Sequence, residues 1–347
     1  MDVLYRTYIF CPKLKNHPIK IEVFIMSFKF VFLGQEEGII KKYANAMKEA
    51  VSGLEVCFSS ERDHQRVELA EARGCFGTLD KDLLAHAKKL EWIAAPAAGP
   101  PRGYYFPELI KSNIQVTNFR GIFNDHISSH IMAFVLCFSR GMHAFFADQF
   151  SKKWNSGGEE SPAVHLPEST ALIVGVGGIG AATALHCKHF GMKVIGIDPR
   201  VSTEPEGVDR LFRPNDLTNI LPEADFIIVT APQTPSTEGL FNKATFLKMK
   251  ESAFFVNIGR GANVVLSDLD EALREKNIAG AALDVFEIEP LPQDHPLWTA
   301  PNFLMTPHMA AAGPYLTERR IELMRNNCRL FSKNEPLLNV VDKANWF

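Results

Sequence analysis

The alternation of apolar and polar positions first becomes regular at SFKFVFLG (27–34), a period-two stretch closed by glycine that predicts a β-strand. Residues 36–51 then carry apolar side chains at helical spacing. LEVCFS (54–59) and LEWIAAP (90–96) predict further strands, with helices over 63–73 and 79–87 around them. Strand–helix alternation of this kind builds a parallel sheet covered by helices. The tract APAAGPPRGYYFP (95–107) interrupts it, and its prolines and glycines place it in a loop at a strand end.

From 124 to 150 the pattern changes. NDHISSHIMAFVLCFSRGMHAFFADQF is apolar around nearly its whole circumference, so more than one neighbour must bury it. It reads either as a central core helix or as a helix shared between a domain core and a second subunit. SGGEESP (156–162) reads as a polar surface loop. A second alternating unit begins with STALIVGVGGIGAATALHCKHFGMKVIGID (169–198), with strands expected at 224–230, 253–259 and 279–287 and helices over 244–250 and 266–276. A helix over 314–333 closes the chain, and no internal repeat is evident.

A length of 347 residues suits two domains rather than one core. With 46% hydrophobic and 22% charged residues, nothing suggests disorder. The net charge of -3 gives no electrostatic footprint for nucleic acid. No apolar run approaches the roughly 20 residues of a membrane helix, so no membrane partner is expected. Cys11, Cys57, Cys75, Cys137, Cys187 and Cys328 fall at no CxxC or metal-like spacing. They read as reduced, mostly buried thiols of a cytoplasmic protein, and no metal is expected. Residues 1–25 lack the features of a secretory signal, and their single arginine and lack of serine offer little support for a mitochondrial address. Met26 opens the first strand-like run, so 1–25 reads as an N-terminal extension.

Gly175, Gly177 and Gly180 form GxGxxG, a weak pattern in isolation. Here it follows the strand ALIVG, opens a helix, and precedes a second strand ending in Asp198, which is the context a dinucleotide site requires. Gly175 permits a tight turn, Gly177 lets backbone reach a pyrophosphate, and Gly180 lets helix and strand pack closely. The phosphates would rest on the positive end of the helix. Asp198 can accept from ribose hydroxyls and opposes a 2′-phosphate, which favours NAD over NADP; Arg200, two residues on, softens that preference.

Three later motifs add chemistry. NIGRGA (257–262) puts Arg260 at the carboxyl end of a strand, between glycines that let backbone crowd a ligand. FEIEPLP (286–292) carries Glu289 on a proline-bounded loop, and MTPHMA (305–310) carries His308. The spaced series GVGGIG, GID, TAPQT, NIGRGA, LDVFEIEPLP, HPLW, PNFLMTPHMA resembles the D-isomer-specific 2-hydroxyacid dehydrogenases over roughly 27–335.

That resemblance implies an α/β fold of two Rossmann-like, doubly wound parallel-sheet domains. An NAD-binding Rossmann domain over 125–313 would be inserted in a flavodoxin-like substrate (catalytic) domain made of 1–124 and 314–347, with the active site in the cleft between them. It implies an oxidoreductase that moves a hydride between a nicotinamide cofactor and C2 of a 2-keto or D-2-hydroxy acid. Arg260 would bind the substrate carboxylate, His308 would exchange a proton with the keto oxygen, and Glu289 would orient His308. Asp284 would contact the nicotinamide carboxamide, and Thr230 and Pro232 the adenosine side. Gly178, Ile179 and Ile258 belong to the matched cofactor motifs. The turn Ala98–Gly99 would grip the substrate carboxylate through its amides. A homodimer formed by the nucleotide domains is also implied, and the apolar 124–150 segment agrees.

Two departures from the family pattern stand out: Val265 where many relatives have aspartate, and Pro100 and Pro101 in the substrate loop, which donate no amides. Substrate identity is what the loop departure leaves open. The short stretch after the closing helix argues against a phosphoglycerate dehydrogenase with a regulatory tail. The alternative function is an NAD(H)-binding, corepressor-like binding protein of the same fold.

Overall fold

The computed structural model describes residues 4–7, 21–24, 27–99, 103–155 and 163–345. The loop expected over 156–162, both prolines of the substrate loop, and Cys11 lie outside the described residues. The chain divides into two units, one of Met1–Ile122 with Pro314–Phe347 and one of Phe123–Gly313. Each is built on one parallel sheet.

In the first unit β1 (Leu4–Thr7) and β2 (Ile21–Phe24) pair antiparallel as a two-stranded ribbon. The parallel sheet holds β3 (Lys29–Phe32), β4 (Glu55–Phe58), β5 (Gly74–Phe76), β6 (Trp92–Ala94) and β7 (Gln115–Thr117), in the order β4-β3-β5-β6-β7. Counted within the sheet this is 2-1-3-4-5, the flavodoxin-like order. Helices α1 (Gly38–Ala50), α2 (Arg62–Glu71), α3 (Lys81–His86) and α4 (Pro107–Lys111) make the crossovers. The sequence pattern does not mark β5 or β7, which have three residues each.

Gly74 in β5 is needed for space: a Cβ there would lie 2.6 Å from Phe30 Cδ2 and 3.3 Å from Trp92 Cε3. Phe30, Phe32 and Trp92 are fully buried, each stabilising the fold by roughly 2–3 kcal/mol. The indole N–H of Trp92 donates to Thr117 Oγ1 at 2.9 Å, so its burial leaves no polar group unpaired. The closing helix Leu316–Ser332 packs on α1 and brings Phe331 to 4.8 Å from Phe28 and 5.4 Å from Trp92, ring centre to ring centre. The end of the chain thereby completes the first unit's core.

In the second unit the 124–150 segment is two helices rather than one, α5 (Asn124–Ser139) and α6 (Met142–Phe150). Gly141 at φ 65° turns the path by 72°, a left-handed conformation that glycine adopts at little cost. α5 buries Ile127, Ile131, Val135 and Phe138, whereas α6 buries none of its residues. Among the described residues no single helix is long and apolar enough to cross a membrane.

The second sheet is formed by β8 (Thr170–Val174), β9 (Lys193–Ile197), β10 (Arg210–Phe212), β11 (Phe226–Val229), β12 (Phe254–Asn257), β13 (Gly280–Leu283) and β14 (Phe303–Met305). Its order is β10-β9-β8-β11-β12-β13-β14 and all pairings are parallel. This is the Rossmann order 3-2-1-4-5-6 with one strand added. The crossovers carry α7 (Gly178–His189), α8 (Leu217–Ile220), α9 (Lys243–Phe246) and α10 (Leu266–Arg274). β11, β12 and β13 are buried along their whole length, as strands covered on both faces must be.

Candidate active site

Strand order in the second sheet reverses between β8 and β11, and ligands of open α/β sheets bind beyond the carboxyl ends of strands at such a point. GVGGIG (175–180) lies there. Gly175 turns the chain at φ 97°, and a Cβ on it would sit 2.7 Å from Ala231 N. A Cβ on Gly180 would lie 2.1 Å from Gly175 O, so any larger residue forces helix and strand apart. A Cβ on Gly177 would meet only Arg200 Nη2, at 3.8 Å. That openness, at the N-terminus of α7, fits the pyrophosphate of a dinucleotide. Ile179 packs partly buried on the core behind it. Gly178 lies against Asn124 of α5, whose Nδ2 a Cβ would approach to 2.6 Å, a neighbour no sequence signal marks.

Asp198 follows β9 and is 1% exposed. Its Oδ2 accepts from the Val176 amide (2.9 Å), and its Oδ1 from the amides of Arg200 (2.8 Å) and Val201 (3.2 Å). The carboxylate therefore shapes the glycine turn from behind, beyond any contact with a ribose. Thr230 Oγ1 donates to Gly175 O and secures the same turn, while Pro232 beside it is exposed.

Arg260, Glu289 and His308 follow three different strands, β12, β13 and β14, and the fold draws them together. Gly259 and Gly261 flank Arg260, and backbone from elsewhere in the unit lies close to both. A Cβ would lie 2.4 Å from Ala231 O at Gly259 and 1.9 Å from Phe286 C at Gly261. The Arg260 turn is thus seated on the loop that leads to Glu289. Burial lowers the guanidinium pKa, and the negative charge of Glu289 offsets part of that cost. Ile258 is buried just before the turn.

His308 Nδ1 lies 2.7 Å from Glu289 Oε2, while Glu289 Oε1 accepts from the Phe286 amide at 2.9 Å. A carboxylate only accepts, so Nδ1 carries the proton of this bond and Nε2 is left for another partner. The imidazole as a whole is about half exposed (51%).

Asp284, expected near a nicotinamide, is 1% exposed and ties down the His308 loop. Its carboxylate accepts from Thr306 Oγ1 (2.6 Å), Met309 N (2.8 Å) and Ala310 N (3.0 Å). Sequence reading misses Thr306 and its partner His130, whose Nε2 lies 2.9 Å from Thr306 Oγ1. Only a pairing across 176 residues reveals them.

Ala98 and Gly99 belong to the first unit, after β6, where Asn118 Nδ2 donates to Ala98 O at 2.9 Å. Also in that unit, Cys57, His64 and Glu68 bring ligand-type atoms within 4.8 Å of one another, a grouping the cysteine spacing does not suggest. Lys29 pairs with Glu68 at 2.7 Å.

A model of the NAD binding domain of the D-isomer specific 2-hydroxyacid dehydrogenases matches residues 132–310, over half of the chain. A glyoxylate reductase of Thermofilum pendens is 32% identical over 269 residues, which is 76% of this chain and 78% of that protein. A solved D-isomer specific 2-hydroxyacid dehydrogenase from Xanthobacter autotrophicus, in complex with NADPH and MES, matches with a TM-score of 0.79 at 27% identity, covering 93% of this chain and 100% of that one. An NADPH-dependent glyoxylate/hydroxypyruvate reductase from Sinorhizobium meliloti, in complex with NADP and sulfate, gives 0.75 at 27% identity over 93% and 100% of the two chains. On this agreement of sequence and sheet order, the chain belongs to the D-isomer specific 2-hydroxyacid dehydrogenases, the NAD(P)-dependent oxidoreductases of 2-hydroxy and 2-keto acids.

Proposed function

We propose that this protein reduces a small 2-keto acid of the glyoxylate or hydroxypyruvate class to the D-2-hydroxy acid. In this reading His308 is the proton donor, Glu289 its partner and Arg260 the carboxylate clamp. The observation that carries it is the 2.7 Å contact between His308 Nδ1 and Glu289 Oε2, with Arg260 in the field of the same carboxylate. The nicotinamide cofactor, when bound, supplies the hydride. Arg260 presents a planar fork that suits a carboxylate, and its desolvation strengthens the attraction for an anion. Once the keto group is so oriented, His308 Nε2–H protonates its oxygen, and Glu289 stabilises the ring while it is cationic. In the oxidative direction His308 takes the proton back.

The glycine loop, Ile258 and the residues following β11 hold the cofactor. The buried negative charge of Asp198 favours NAD. Arg200 Nε, 3.7 Å from Asp198, is the residue that admits a 2′-phosphate. The protein works as a homodimer through its second unit, a reading supported by the apolar, unburied face of α6.

The test is oxidation of NADH and NADPH with glyoxylate, hydroxypyruvate, pyruvate and phenylpyruvate. We expect turnover on one of the first two and a higher kcat/KM with NADH. His308→Ala lowers kcat by roughly 10²–10⁴-fold. Arg260→Ala raises KM strongly and also lowers kcat, because a misplaced carboxylate misaligns the carbonyl. NADH binding, followed by fluorescence, survives both changes. Binding of NADH without turnover on any acid would favour a corepressor-like role, and near wild-type turnover by His308→Ala would remove the acid from the mechanism.

A further inference from the structure

His308 sits at φ 53°, a left-handed conformation that L side chains with a Cβ rarely adopt. Something must hold it there, and the bonds that do so converge on Asp284. The His308 amide donates to Asp284 O at 2.8 Å, and the amides of the next two residues, Met309 and Ala310, donate to its two carboxylate oxygens. Thr306, two residues before His308, adds its hydroxyl to Oδ1 at 2.6 Å. The loop is thus tied to one buried carboxylate on both sides of the histidine.

The direction of the remaining bond follows from proton counting. Thr306 Oγ1 has a single proton, which goes to the carboxylate, since a carboxylate can only accept. Towards His130 the hydroxyl therefore accepts, and His130 Nε2 carries the proton of that 2.9 Å bond. His130 is on α5, its ring edge-on to Phe134 with centres 4.9 Å apart. The result is a directed chain from the helix to the loop, His130 N–H to Thr306 O–H to Asp284.

Asp284 also leads into the other half of the pair. Two residues on, the Phe286 amide holds Glu289 Oε1, and Glu289 Oε2 meets His308. Both members of the histidine–carboxylate pair thus hang from one position, through its side chain on one strand end and through the following backbone on the other. We infer that Asp284 and Thr306, anchored by His130, are positioning residues that align His308 with Glu289. This role rests on the reading of His308 as the proton donor and extends it to residues that need not touch the substrate.

The experiment uses Thr306→Val, which keeps the side chain's shape and removes the hydroxyl, with Thr306→Ser as the conservative control. Thr306→Val should lower kcat roughly 10- to 100-fold, the scale of loss a misplacement near 1 Å produces. It should leave the NADH Kd within about threefold of wild type, a small change on the free-energy scale. The reductive limb of the pH profile should move to lower pH, because the loosened ring is less well paired with Glu289. Thr306→Ser should restore both kcat and the limb. His130→Phe, which keeps an aromatic ring against Phe134 but has no N–H to donate, should move both readouts in the same direction, and it serves alone if Thr306→Val does not fold.

A fall in melting temperature with wild-type kcat and an unmoved pH limb would overturn the assignment, because a purely structural threonine predicts that pattern. His308→Ala assayed alongside separates the two readings. An inactive His308→Ala beside an unimpaired Thr306→Val defeats only the positioning role. An active His308→Ala defeats the proton-donor reading, and the positioning role with it.

Discussion

A left-handed histidine costs on the order of 1–2 kcal/mol, and a net contribution of about 1 kcal/mol from each of several loop hydrogen bonds offsets it. His308 is such a residue, and the bonds to Asp284 are the compensation. The carboxylate opposite it is the natural point to probe. Glu289→Gln keeps the shape and a hydrogen bond to the ring but removes the charge. The protonated ring then loses its counter-charge, so reductive turnover, which needs that proton, should be lost at a lower pH than in wild type. A kcat–pH profile checks this, with partial activity expected at the optimum. An unmoved limb would mean that Glu289 does not govern the proton on His308.

Among the elements, α5 and α6 show how one apolar run serves two surroundings. Gly141 ends the first helix and turns the second away, so the face of α5 meets the sheet while α6 keeps Met142, Phe146 and Phe150 at least 40% exposed. Trp154 follows, at 98% exposed. An apolar face of this kind marks an interaction surface, and a second copy of the chain is its proposed occupant. Phe150→Glu should therefore shift the protein from dimer to monomer in light scattering at micromolar concentration. A wild-type chain that is monomeric under the same conditions defeats the dimer itself. β13 makes a complementary point. Its sequence, Gly-Ala-Ala-Leu, is a poor strand former on propensity. Small residues are required because a Cβ at Gly280 would lie 2.8 Å from Asn302 O and 3.2 Å from Phe138 Cε1.

Across the whole molecule the buried thiols report on both cores at once. Burial pushes the Cys187 and Cys328 thiols up to about 12 and that of Cys75 higher still, so almost none of the reactive thiolate exists near pH 8. Cys75 and Cys328 belong to the first unit and Cys187 to the second. In the native protein at pH 8 all three should resist a thiol–disulfide exchange reagent, and they should react once guanidinium exposes them. Mass spectrometry of the labelled peptides reads the outcome unit by unit. Fast labelling of the native chain at any of them would show that the core around it opens far more often than its packing suggests.

The features legible in the linear chain are those whose physics is local. Periodicity two and periodicity 3.6 marked most strands and helices, because each element must turn one face or stripe to a core. The glycine spacing of 175–180 was readable because a tight turn, a backbone approach and a helix–strand contact all act within six residues. Arg260, Glu289 and His308 stood out through their short motifs. The three-residue strands β5, β7 and β10 did not, since pairing partners rather than their own sequence make them strands. Nor did the tasks of Gly259 and Gly261, whose missing Cβ atoms leave room for backbone near Ala231 and Phe286. Asp284 was visible as a residue but not in its packing role, because the donors that claim its carboxylate come from a loop more than twenty residues later. Thr306 and His130 were invisible for the same reason: a hydrogen bond spanning 176 residues leaves no periodicity, and only the folded chain brings its two ends to 2.9 Å.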